Sequence, residues 1–170
     1  MSLRIAKPYQ KLFDPVFKML PLHQAMTNLV VHKDEHADHE LIKLVERVLN
    51  EPNLKGKPEL ATGIWLYVDE LDRSHTISQS IETATGSFWH AIMHRREGEF
   101  WNSNYWYRRT NQHPAMKQID MPDNEITTYK PQLFVDLVEQ NYRHDNKDAT
   151  LIAIQRAEWI ALFEWCTKHD

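Results

Sequence analysis

The chain has 170 residues, 42% of them hydrophobic, with one cysteine, Cys166, and a formal net charge of −4. Such a chain buries one substantial core, so we expect a single domain over residues 1–170. Its acidic balance argues against nucleic-acid or membrane partners, which require a basic surface. No apolar stretch reaches the roughly 20 residues that span a bilayer. The lone cysteine and the lack of a secretory signal before Pro8 predict a reducing, cytoplasmic setting.

The first 22 residues contain Pro8, Pro15 and Pro21. Proline lacks an amide donor and restricts the residue before it, so we expect only short helices there. We interpret residues 1–22 as an N-terminal arm that wraps the domain.

Two helices are predicted next. Apolar residues repeat at helical spacing over residues 39–50, which indicates an amphipathic helix. Pro58 suits the first turn of a second helix, which we expect to end near Asp72. Three acidic residues lie in its last turn, where negative charge opposes the helix dipole. We therefore expect a cationic partner from Arg73, His75 or the arginines further along the chain.

The stretch over residues 86–114 concentrates histidine, arginine and aromatic residues. On a helix, His90, His94 and Glu97 stack over successive turns and border an apolar arc. Gly98 then ends this helix, and a second, antiparallel helix follows it. Aromatic residues surround most of this second helix, so we expect it to be packed on several sides.

The rest of the chain also indicates helices. Residues 111–131 contain three prolines and predict a long ordered loop that covers one end of the domain. A further helix is predicted around residues 133–138. Residues 151–165 are apolar over too wide an arc for a surface helix, so the last helix should dock into the body. No strand-like alternation competes, and we predict an all-α single domain of five to seven helices built from hairpins.

The central stretch resembles two known patterns. The spacing of a tetratricopeptide-type helical hairpin is matched by Gly98, Phe100, Ser103, Tyr107, Thr110 and Pro114. That resemblance implies two antiparallel helices. A second pattern resembles one shared by a family of uncharacterised proteins: Ser74-His75, WHAxMHRREG at 89–98, NxxYWxRR at 102–109 and His113-Pro114. It implies no established activity.

Two histidines one helical turn apart are spaced to share a divalent metal ion. We predict a metal site with His90, His94 and Glu97 as ligands, completed by His75 or His113. If the protein is an enzyme, the first three are also the catalytic candidates. A histidine then acts as general acid or base, and Glu97 orients it. The alternative is that both histidines are core residues hydrogen-bonded to their neighbours.

Four arginines lie on the same hairpin, and guanidinium groups suit a small anionic ligand that carries carboxylate or phosphate. The predicted ligand-binding residues are His75, Arg95, Arg96, Asn102, Asn104, Tyr105, Arg108, Arg109 and His113. The alternative is that the arginines pair with acidic residues of adjacent helices.

A protein-interaction module is the alternative function from a different class. Trp101, Tyr105 and Trp106 are of the residue types favoured at protein contacts, and a tetratricopeptide-like hairpin can present them. In that case the histidine, glutamate and arginine cluster is purely structural. The expected partner is thus a small anionic molecule or a protein, and the only cofactor indicated is a divalent metal ion.

Overall fold

The computed structural model describes residues 3–121 and 128–169. This part of the chain contains eight α-helices and two 3₁₀ turns, with no strand. The helices are α1 (Lys7–Met19), α2 (His39–Leu49), α3 (Pro58–Tyr67), α4 (Leu71–Ser78), α5 (Ala84–Arg96), α6 (Phe100–Tyr107), α7 (Pro131–Asn141) and α8 (Ala149–His169). The 3₁₀ turns are Pro52–Leu54 and Pro114–Gln118. The predicted all-α class is confirmed, with one helix more than the expected range.

Helix α5 lies at the centre of the hydrophobic core. Every residue from 86 to 96 is buried, because α3, α4, α6 and α8 all pack against this helix. Gly98 ends it as predicted, with a φ of 80°. The Gly98 N–H donates to the Arg95 carbonyl and the Glu99 N–H donates to the His94 carbonyl, at 3.0 and 2.8 Å. This pair of bonds is the Schellman motif, which favours glycine at the left-handed position.

Helix α8 docks into the body, as its wide apolar arc predicts. Trp159 stacks on Phe163 with ring centroids 4.6 Å apart. The Trp159 indole N–H donates to the Gly63 carbonyl of α3 at 2.8 Å. A Cβ on Gly63 would lie only 2.8 Å from Cζ2 of Trp89 on α5. Glycine therefore permits α3, α5 and α8 to approach at this point.

The expectation of short helices in the first 22 residues is wrong, because α1 runs for 13 residues. Pro8 lies in its first turn, where a missing N–H leaves no helical hydrogen bond unmade. Pro15 lies inside the helix. Phe13 and Val16 are fully buried in the core, and their burial offsets the hydrogen bond that Pro15 cannot make.

The second predicted helix ends earlier than expected. Helix α3 stops at Tyr67, because Asp69 adopts a φ of 63°, and a separate helix α4 then begins. The acidic turn has the cationic partners that we expected: Arg96 Nη1 lies 2.7 Å from Asp69 Oδ1, and Arg73 Nε lies 3.7 Å from Glu70 Oε2.

The segment predicted as a long loop is only partly within the described residues, since residues 122–127 fall outside them. Its first part contains the 3₁₀ turn Pro114–Gln118, and α7 begins where the predicted loop ends, at Pro131. Among the helices described, none has both the length and the apolarity to cross a membrane.

Replacing Gly63 by alanine tests the close approach of α3, α5 and α8. We expect a loss of about 1–3 kcal/mol in the free energy of unfolding, because the added methyl overpacks the core. Helix propensity alone favours alanine by about 1 kcal/mol, so the two effects differ in sign. Denaturant melts measure the change. Trp89→Phe removes the clashing ring atoms, so the double variant should lose less than the sum of the single changes.

Candidate functional site

Three histidines, which we call the histidine cluster, meet where α4 packs on α5: His75, His90 and His94. One ring nitrogen of each lies within 4.8 Å of one from each of the others. The Nε2 atoms of His90 and His94 are 3.1 Å apart. These two rings adjoin because they lie four residues apart on α5. Of the two residues predicted to complete the pair, His75 and His113, the structure thus brings His75 to it.

The Nδ1 atoms of the cluster face polar partners. Glu97 reaches two of them, with Oε1 3.5 Å from His75 Nδ1 and Oε2 3.4 Å from His94 Nδ1. Ser78 Oγ lies 2.7 Å from His90 Nδ1 and donates to the His75 carbonyl at 3.3 Å. A hydroxyl that donates to a carbonyl still accepts, so this network favours the proton of His90 on Nδ1. The Nε2 lone pair of His90 then points towards His94.

The electrostatics of the cluster favour one uncharged imidazole and one carboxylate. Burial first, and then the nearby His94 and His75, together lower the pKa of His90 to about 3, against a smaller opposing effect of Glu97. Burial raises the pKa of Glu97, but its contacts with His94 and His75 outweigh burial and lower the pKa below its usual value. At neutral pH, His90 is therefore neutral and Glu97 is ionised.

A second carboxylate, that of Glu99, also lies close to His94. Glu99 is the residue immediately before α6. Glu99 Oε2 lies 3.6 Å from His94 Nδ1 and accepts a hydrogen bond from Asn102 Nδ2 at 2.5 Å. His94, Glu97 and Glu99 each offer an atom within 4.8 Å of the others. His94 thus belongs to the histidine cluster through Nε2 and to a mixed group with two carboxylates through Nδ1.

One wall of the cluster is aromatic and one edge is open. The Trp106 ring lies 4.4 Å from the His90 ring, centroid to centroid, in an edge-to-face contact. His90 and His94 are buried, whereas the side chain of His75 is 34% exposed. The cluster is therefore open to solvent on the side of His75.

Arg95 does not line an anion pocket, contrary to the sequence prediction. Its guanidinium is fully buried and forms a two-point ion pair with Glu158 of α8, with bonds of 3.1 and 2.6 Å. The Tyr107 and Tyr129 hydroxyls also donate to Glu158. Burial alone lowers the pKa of Arg95, but the charge of Glu158 outweighs it and raises the pKa. Burial raises the pKa of Tyr107 and Tyr129, so both remain protonated donors.

Arg96 is also a buried structural residue. Besides its contact with Asp69, Nη1 donates to the Leu66 carbonyl at 3.0 Å and Nη2 donates to the Asn28 carbonyl at 3.3 Å. The predicted alternative of pairing between helices holds for this arginine. Arg108 and Arg109 remain exposed at the end of α6.

The remaining predicted ligands lie apart from the histidine cluster or at its edge. His113 caps the 3₁₀ turn: its Nδ1 accepts from the Ala115 N–H at 3.2 Å, and its Nε2 lies 3.1 Å from Thr85 Oγ1. His113 thus does not complete the site, and burial lowers its pKa. Tyr105 stacks on Trp101, which is 74% exposed, so the prediction of a helix packed on several sides is wrong for this face. Asn104 Oδ1 is buried without a hydrogen bond to the described residues.

Sequence reasoning missed Ser78, Glu99 and Glu158. Ser78 follows His75 by three residues, so both lie on one face of α4, but the short α4 was not separated from the turn around it. Glu158 was detectable as an acid inside a strongly apolar stretch, a position that acids rarely occupy without a partner.

Arg95→Met is expected to cost about 3–5 kcal/mol in the free energy of unfolding, because it leaves Glu158 buried without its cation. The control is Arg108→Met on the exposed face, which should stay within about 0.5 kcal/mol of the wild type. Denaturant melts of both variants measure the difference. Equal stability of the two variants would contradict the structural role of Arg95.

Comparisons of the chain with protein-family models, curated proteins and solved structures found no match. The function is therefore argued from the chemistry of the site.

Proposed function

We propose that the protein binds one divalent transition-metal ion of the zinc class through His75, His90 and His94. The observation that carries this proposal is the convergence of three imidazoles whose Nδ1 atoms face Glu97 and Ser78. Metal-binding histidines usually direct their other ring nitrogen to a carboxylate or another polar acceptor, which fixes the ring orientation. Imidazole nitrogen is a preferred ligand for zinc, copper, nickel and iron.

The spacing of the ring nitrogens supports a tetrahedral ion. At a zinc–nitrogen distance of about 2.0–2.1 Å, two tetrahedral ligands lie about 3.3 Å apart. The Nε2 atoms of His90 and His94 are 3.1 Å apart and so already have nearly this separation. Two lone pairs this close repel each other unless a proton or a cation lies between them. His75, the exposed member, is the ring that moves inward to complete the set.

The surroundings of the cluster favour the entry of a cation. A cleft beside Glu97 is lined by Glu35 and Asp72, neither of which forms an ion pair with the described residues. Asp69 and Glu70 also line it but pair with arginines, and Lys33 is on the same lining. Carboxylates that line a cleft raise the local concentration of cations. Glu97 is the residue shared by the cleft and the histidine cluster.

A site with three protein ligands and one exposed edge leaves a coordination position for water or substrate. A zinc-class ion supplies Lewis acidity there. His90 and His94 are then ligands, as the sequence predicts, but the role of Glu97 differs from the prediction: it holds the Nδ1 protons of His75 and His94 and is not itself a ligand. An acid or base role for these residues in a reaction remains a prediction.

Titration of chelator-treated, untagged protein with Co²⁺ tests this proposal. We expect one ion per chain, with the visible absorption of a tetrahedral site, and competition by Zn²⁺. His94→Leu should weaken binding at least a hundredfold, because a ligand is lost. Ser78→Ala should weaken it about 10–100-fold, the usual cost of removing a residue that orients a ligand. His144→Ala, at an exposed histidine outside both the cluster and the cleft beside Glu97, is the matched control.

Stability measurements separate this site from a structural histidine cluster. If the cluster binds metal, His94→Leu should leave the unfolding free energy of the metal-free protein unchanged or raised, because an apolar side chain packs there as well. If the cluster is structural, the same change leaves the partners of His94 without hydrogen bonds. The free energy of unfolding should then fall by about 1–3 kcal/mol for each buried group left unpaired. A drop in stability, with Co²⁺ binding equal to that of His144→Ala, would refute the proposal. Glu99→Gln tests whether the ion binds instead to the mixed group of His94, Glu97 and Glu99. If this variant loses Co²⁺ binding while Ser78→Ala does not, the ion is bound by Nδ1 of His94 and the two carboxylates.

The interaction-module alternative rests on the exposed Trp101 and Tyr105, whose rings lie 6.1 Å apart at an interplanar angle of 15°. This pair is on the surface of α6 and is available for contact with a protein partner. Trp101→Ala should leave Co²⁺ binding unchanged, so a loss of binding to a protein partner in that variant would identify the second function separately.

A further inference from the structure

A groove lies beside the histidine cluster, between the start of α5 and the end of α6. Trp106 separates the two, since its ring contacts His90 and also lines the groove. We call it the arginine groove, and it is lined by Gln79, Ile81, Glu82, Thr83, Ala84, Ser87, Trp106, Arg108, Arg109 and Asn111. It holds the two arginines of the central stretch that are not buried in ion pairs.

The two arginines of the groove have no carboxylate partner in the described part of the chain. Arg109 is held in place by aromatic rings: its guanidinium carbon lies 5.5 Å from the ring centroids of Tyr105 and Trp106. Its Nη1 also donates to the Tyr105 hydroxyl at 3.1 Å. The Arg108 side chain makes neither a hydrogen bond nor an ion pair with the described residues. Glu82 is the acid on the lining.

Ser87 supplies an independent indication of a ligand. The residue as a whole is only 7% exposed and lines the groove, and its hydroxyl makes no hydrogen bond with the described residues. The hydroxyl oxygen is not itself sealed from solvent, so it is free to donate to a molecule in the groove. The groove also includes Ala84, the first residue of the 13-residue helix α5, whose N–H has no helical acceptor. The positive end of the helix dipole adds to the field of the arginines.

We infer that the arginine groove binds a phosphate dianion, either free or as the terminal group of a phosphomonoester. Two guanidinium groups, a hydroxyl and the start of a helix present several donors to one anion, and a tetrahedral phosphate has enough oxygens to accept from all of them. A carboxylate has only two oxygens and uses fewer of these donors. This site does not depend on a metal ion in the histidine cluster.

The test uses chelator-treated full-length protein and inorganic phosphate, with sodium chloride at equal ionic strength as the reference. We expect saturable binding by calorimetry and a melting temperature that rises with phosphate but not with acetate. Arg108→Gln should weaken phosphate binding at least tenfold, because a charge-assisted hydrogen bond is lost. Ser87→Asp places a carboxylate where the anion sits and should abolish binding.

Arg143→Gln is the matched control for the arginine substitutions. Like Arg109, Arg143 lies 5.5 Å from a tyrosine ring and donates to that tyrosine's hydroxyl, but it does not line the groove. Its replacement should leave phosphate binding unchanged. Equal binding by Arg108→Gln and Arg143→Gln, or no response beyond that of chloride, would overturn the inference. Phenyl phosphate identifies the source: tighter binding than phosphate indicates a phosphomonoester, and equal or weaker binding indicates the free ion.

Phosphate binding by His94→Leu should equal that of the wild type. This variant keeps a failure of the metal site distinct from a failure of the groove, since it removes a metal ligand and leaves the arginines in place. Joint loss of phosphate binding in His94→Leu and Arg108→Gln, with both variants folded by circular dichroism, would contradict an independent groove.

Discussion

The burial of α5 on all sides is the constraint on which the rest of the structure depends. The buried part of this helix includes two arginines and two histidines, so four ionisable side chains need partners inside the core. The neighbouring helices supply them. Glu158 in α8 neutralises Arg95. Arg96 donates a hydrogen bond to the carbonyl of Leu66 and forms an ion pair with Asp69. The packing of α3 and α8 around α5 is thus specified by charge as well as by apolar area.

The arginines and the histidines of α5 differ in the partners that they find inside the core. Arg95 meets a carboxylate at two points, and the tyrosine hydroxyls complete the shell of Glu158. His90 and His94 instead face each other at 3.1 Å. The contact is a hydrogen bond when one of the two Nε2 atoms carries a proton. Apolar side chains at both positions would nevertheless fill the core at least as well, because buried polar pairs seldom stabilise more than well-packed hydrophobic residues. His90 and His94 are thus unfavourable for packing, and they lie beside His75, where the cluster is open to solvent. This is what we expect of residues that are retained because they bind a ligand.

The sequence predicted the helical class, the helix over residues 39–50, the glycine turn at Gly98 and the docking of the last helix, because local periodicity and turn chemistry decide them. It also predicted a polar site at His90 and His94. It could not separate the buried arginines from the exposed ones, since all four belong to the same helical hairpin and their partners depend on tertiary packing. Glu158, the partner of Arg95, is 63 residues away in the chain. The tetratricopeptide resemblance stays a prediction.

The distribution of charge around Trp106 connects the two proposed sites. A chain with a net charge of −4 acquires a locally basic groove because only two of its four central arginines are neutralised in the core. On the far side of the histidine cluster, the cleft at Glu97 is lined by acidic residues. A cation and an anion would thus approach from different sides, and the Trp106 ring would lie between them.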